Sequence, residues 1–95
     1  MRAEKKIRVL LADDHPLIRD GVRIQLEACS DVEIVAEVDD GKEALAKAEE
    51  LDPDIAFLDI GLPGINGLEI TRILREKNPN IKIIILTIHD NREYI

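Results

Sequence analysis

Apolar residues in this chain fall into two patterns. Ile7-Arg8-Val9-Leu10-Leu11-Ala12 is a nearly unbroken apolar run that stops at Asp13-Asp14, which predicts a strand buried on both faces. Ile55-Ala56-Phe57-Leu58 behaves alike and stops at Asp59. Ile81 to Ile88 is the most apolar stretch, a central-strand pattern with Thr87 near its end. Val32 to Val38 sets Val32, Ile34, Ala36 and Val38 against Glu33, Val35 and Glu37, which predicts a half-buried strand nearer a sheet edge. Between these runs the period lengthens. Ile18, Val22, Leu26 and Cys29 share one helical face, and Pro16 suits a first helical turn. Ala44, Leu45, Ala48 and Leu51 form a second face after the capping turn Asp39-Asp40-Gly41, and Pro53 stops that helix. Ile70, Ile73 and Leu74 form a third, capped by Asn66 and ended by Asn78-Pro79-Asn80; Asn91 to Ile95 reads as the first turn of a fourth helix. Alternating strands and helices predict an α/β domain, a parallel sheet covered by helices through right-handed crossovers.

Composition narrows the class. With 95 residues the chain has room for one domain, and 45% hydrophobic with 35% charged residues suits a globular protein rather than a disordered one. A net charge of −7 and only two aromatics, Phe57 and Tyr94, exclude a broad basic footprint and a stacking platform for nucleic acid. Cys29 is the lone cysteine, which excludes an internal disulfide and favours a reducing compartment; it reads as a small apolar residue near a helix end. The first apolar run is interrupted by Asp13-Asp14 and is too short for a signal sequence or a membrane span, so the expectation is a soluble, cytoplasmic protein.

Candidate chemistry sits at the strand ends. Ligands of open parallel sheets bind beyond the carboxyl ends of the strands, where strand order reverses. If the first and third strands are neighbours there, Asp13, Asp14 and Asp59 converge, and carboxylates so crowded call for a cation. An all-oxygen set of high charge selects a hard ion, Mg²⁺ before others, and Thr87 offers a hydroxyl to a phosphoryl group. One acid at a strand end is ordinarily a solvated turn residue or a helix cap; the conjunction of an Asp pair, a lone Asp and a Thr after three apolar runs is rarer. His15 and His89 are expected at the cleft rim without a catalytic role.

The stretches Leu10-Leu11-Ala12-Asp13-Asp14-His15-Pro16, Asp59-Ile60-Gly61-Leu62-Pro63-Gly64-Ile65-Asn66-Gly67 and Leu86-Thr87-Ile88-His89-Asp90 resemble, in order and spacing, the three signatures of bacterial response-regulator receiver domains, and most of all the NarL/LuxR type. The resemblance implies a flavodoxin-like (CheY-like) sheet of order 2-1-3-4, with residues 1–95 forming a receiver domain. It implies Asp59 as the acceptor of a phosphoryl group from a sensor histidine kinase. Asp14 and Asp59, with Asp13 directly or through water, and the backbone carbonyl of Gly61 would hold Mg²⁺, and Thr87 would bind the phosphoryl group and switch. Pro63 and Gly67 would shape the loop after Asp59. The protein would not be an enzyme beyond its own phosphorylation and autodephosphorylation.

The chain also departs from the family pattern. Receivers continue into a fifth strand, a conserved-in-pattern lysine and a fifth helix, whereas this chain stops at Ile95. The expectation is a receiver incomplete at its C-terminal side. Lys82 precedes the fourth strand and lies at the wrong end of the sheet to replace that lysine. A helix-turn-helix output domain, through which such regulators bind DNA, is likewise absent from the chain. The Ile81 to Ile88 strand would then be an open edge that pairs with a second copy, by swapping elements or otherwise. The alternative function is an interaction or dimerisation module without phosphorylation. A phosphatase or nucleotide binder is disfavoured: Asp59-Ile60-Gly61 lacks a second acid, Gly61-x-x-Gly64-x-x-Gly67 is not the dinucleotide fingerprint, and Gly41-Lys42 is followed by Glu43.

Overall fold

A computed structural model describes residues 5–86. Seven elements alternate: β1 (Ile7–Ala12), α1 (Pro16–Glu27), β2 (Val32–Val38), α2 (Gly41–Leu51), β3 (Ile55–Asp59), α3 (Gly67–Lys77) and β4 (Lys82–Leu86). The strands pair in parallel in the order β2-β1-β3-β4, as expected. The chain steps from β1 to β2 in one direction and then crosses back to β3 on the other side of β1. The reversal at β1/β3 opens a cleft beyond the strand ends. Thr87, Ile88, His89 and the expected helical turn from Asn91 to Ile95 lie outside the described residues.

The core forms where the central strands meet α2 and α3. Leu10, Ala12, Ala56 and Leu58 from the sheet pack with Ala44 and Ala48 of α2 and with Ile70 and Leu74 of α3. Alanines on α2 let it approach the sheet closely, and the larger side chains of α3 fill the remaining space. Each fully buried Leu or Ile here contributes about 1.5–3 kcal/mol of transfer free energy. The two helix starts follow the expected caps. Asp40 Oδ1 accepts the Glu43 N–H at 2.8 Å, and Asn66 Oδ1 accepts the Glu69 N–H at 2.9 Å. Asp52 takes the left-handed conformation (φ 49°) that ends α2 just before Pro53.

One expectation is refined and one corrected. The stripe on α1 forms but is thinly covered: no α1 residue is buried, Val22 and Leu26 are half-buried, Ile18 is 37% exposed, and Cys29 is exposed just beyond the helix end. Periodicity names the side of a helix that turns inward but not how much protein lies over it. The alternation in β2 is also broken. Val9 pairs with Ile34, but Leu10 pairs with Ala36, so the register slips by one residue at Val35. Val32 and Ile34 therefore share the face of Ile7 and Val9, whereas Ala36 and Val38 join the opposite face and pack into the core. An inserted residue in one strand flips every later side chain to the other face.

Candidate functional site

Ala12 pairs with Leu58, so Asp13 and Asp59 leave adjacent strands at the same height. Both carboxylates are buried, with relative exposures of 1% and 4%, whereas Asp14 stands at the mouth. The ligand atoms of Asp13, Asp14, His15 and Asp59 all lie within 4.8 Å of one another. The sequence-derived acidic cluster is thus assembled by the β1/β3 pairing.

Backbone hydrogen bonds hold Asp13 and Asp59 in place. The Asp13 N–H donates to Val38 O at 3.1 Å, and its carbonyl accepts from Arg19 Nη1 at 3.0 Å. Asp13 Oδ1 accepts the N–H of His15 at 2.8 Å, and Asp59 Oδ1 accepts the N–H of Gly61 at 3.1 Å. The loop after Asp59 is pinned by two glycines. A Cβ on Gly41 would stand 1.7 Å from Ile65 O, and one on Gly67 would stand 2.6 Å from Asp59 O. The Gly41 N–H also donates to Pro63 O at 2.9 Å.

His15 stands half-exposed at the cleft, in keeping with the expected rim position, but its ring reaches in among the carboxylates. Its Nδ1 lies 2.9 Å from Asp13 Oδ1, 3.1 Å from Asp14 Oδ1 and 3.2 Å from Asp59 Oδ2. A single ring N–H serves one acceptor well, here Asp13. Asp59 Oδ2 is left buried without a hydrogen-bond partner despite its proximity to the ring. The hydrogen bond to Asp13 raises the imidazole pKa above 6.5, desolvation opposes this, and the charges of Asp14, Asp13 and Asp59 add to the rise. The sequence signal for His15 was its adjacency to the Asp pair; what hid its position was the direction of the side chain at the start of α1.

The donor set fits a small hard cation. Clustered carboxylates, one of them with an orphaned, buried oxygen aimed into the cleft, match the oxygen coordination of Mg²⁺. A surface groove of about 270 Å³ lies nearby, lined by Arg19, Glu37, Val38, Asp39, Glu43 and Lys47. Its charges are mixed and Arg19 faces Glu37 at 3.7 Å, so the concentrated chemistry belongs to the acidic cleft instead. Lys82 begins β4 and its N–H bonds to Asp54 O, at the opposite end of the sheet from the cleft, as expected.

Residues 9–95 match the model of the response regulator receiver domain. The chain belongs to the response regulator receiver family. This receiver is 39% identical over 92 residues to the transcriptional regulatory protein DegU of Brevibacillus brevis, covering 97% of the chain and 39% of DegU. It superposes on the signal receiver domain of NarL from Mycobacterium tuberculosis with a TM-score of 0.85 and 36% identity, covering 90% of this chain and 69% of that one. A further neighbour is RcsB from Salmonella enterica serovar Typhimurium, solved bound to promoter rprA in the presence of the phosphomimetic BeF₃⁻. It has a TM-score of 0.81 and 29% identity, covering 92% of this chain and 45% of RcsB. The receiver thus spans about two-fifths of the length of DegU and under half of RcsB. The four-stranded order seen here is that of the receiver fold.

Proposed function

We propose that this receiver takes a phosphoryl group onto Asp59 from the phosphohistidine of a sensor histidine kinase. The observation that carries the reading is Asp59 Oδ2, buried, unpartnered and facing the acidic cleft, while Oδ1 is held by the Gly61 N–H. A carboxylate fixed through one oxygen presents the other as the nucleophile. That oxygen attacks phosphorus, the P–N bond of the phosphohistidine breaks, and the electron pair returns to the donor imidazole. Asp13, Asp14, Asp59 and the Gly61 carbonyl would hold Mg²⁺, which when bound neutralises charge on the transferring group. Thr87, outside the described residues, would supply a hydroxyl to the phosphoryl oxygens. Hydrolysis of the resulting acyl phosphate is the only further reaction assigned, so the role is regulatory rather than enzymatic.

The output reading extends from the relatives. RcsB is solved on promoter DNA, and by analogy this receiver would control a DNA-binding output domain in a cytoplasmic regulator. The alternative is a module that works by self-association alone. Among the described residues β4 pairs only with β3, and Ile84 is 42% exposed, which favours contact with a second copy.

Phosphorylation is tested with acetyl phosphate and Mg²⁺, read by intact mass. The protein gains one phosphate, Asp59→Asn gains none, and chelation of Mg²⁺ suppresses the reaction. Labelling that persists in Asp59→Asn overturns the assignment, and no labelling of the folded wild-type protein favours the interaction module.

A further inference from the structure

The position of His15 carries an inference that rests on the cation-site reading and deepens it. Its Nδ1 lies within 3.2 Å of an oxygen from each of Asp13, Asp14 and Asp59. A side-chain nitrogen that close to all of them stands where the ion would stand, not beside it. We infer that His15 is a built-in occupant of the cation site, whose ring must rotate out before Mg²⁺ enters.

The local structure suits such a plug. His15 occupies the N-cap position of α1 in extended conformation (φ −106°, ψ 104°), yet its side chain makes no cap hydrogen bond. The ring turns into the cleft instead. The backbone is independently anchored: the His15 N–H donates to Asp13 Oδ1 and its carbonyl accepts the Arg19 N–H at 2.9 Å. Departure therefore requires only side-chain rotation, and with 50% of the side chain exposed the outward path is open. The plug is also incomplete, because one N–H cannot serve three carboxylates and Asp59 Oδ2 stays orphaned. A divalent ion serves them all, so exchange runs toward the ion at the expense of one hydrogen bond to Asp13.

Titration calorimetry with Mg²⁺ at a single fixed pH tests this on the wild type, His15→Ala and His15→Ser, the last retaining a residue able to cap α1. The expected result is Mg²⁺ binding about three- to tenfold tighter in both variants, the equivalent of one lost hydrogen bond. In the wild type, saturation with Mg²⁺ shifts the ring proton resonance of His15. Unchanged affinity in variants of a protein that does bind Mg²⁺ overturns the plug and leaves the cation site standing. Weaker binding in both variants also overturns it, and makes His15 a ligand. Absence of Mg²⁺ binding from wild type and variants alike removes the cation site and the plug together.

Discussion

At the scale of the residue, Gly21 and Gly41 answer the same substitution with opposite signs. Gly21 lies within α1 with nothing within 4 Å of an added Cβ. Gly21→Ala should therefore stabilise the protein by about 0.5–1 kcal/mol through helix propensity. Gly41 begins α2, and its Cβ would overlap the Ile65 carbonyl. Gly41→Ala should destabilise by about 1–3 kcal/mol or more and displace the loop that follows Asp59. Urea midpoints of the two variants check this, and shifts of the same sign refute it. In the sequence Gly41 read as a turn residue only, because its neighbour, Ile65, lies far along the chain. His15 was hidden for a related reason: a residue type has no direction until the backbone around it is fixed.

At the scale of the element, caps and strand ends were legible. Asp40 and Asn66 cap α2 and α3 as their positions foretold, since a capping side chain reaches only its own helix. On α3, Glu69 and Arg72 form an i,i+3 ion pair on the surface. The hydrogen bond from Arg72 holds the Glu69 carboxyl below its ordinary 4.5, partly offset by desolvation. A lowered carboxyl pKa contributes stability that is present above the unfolded value and is lost as pH falls through the folded one. Arg72→Ala should thus cost a small increment at neutral pH that shrinks in acid, as pH falls through the folded value and the Glu69 carboxyl takes up its proton. Equal differences in urea midpoint at neutral and acid pH refute it. The slip at Val35 was marked only by one apolar residue where the alternation calls for a polar one, and a single such residue does not tell a bulge from an ordinary exposed valine.

At the scale of the molecule, the sheet is covered unevenly. Leu10, Leu58, Ile70 and Leu74 are sealed between the sheet and the α2/α3 layer, whereas Leu17 and Ile24 on α1 are 86% and 61% exposed. Ile84 on β4 adds to this exposed apolar surface. If the surface and the β4 edge recruit a second copy, sedimentation velocity should show a coefficient that rises with concentration. Ile84→Lys should shift the population toward monomer. A single monomeric species across the concentration range, in the wild type as in the variant, refutes self-association.

The sequence by itself determined the order of elements, their caps, the family signatures and which acids end the strands, because each is set by residues near one another in the chain. Only the tertiary structure decided that β1 pairs with β3 at a register placing Asp13 beside Asp59, that Gly41 is pressed against Ile65, and that the ring of His15 points among the carboxylates. Contacts between distant segments depend on how the sheet assembles and how its helices settle on it, and periodicity along the chain carries no coordinate for that.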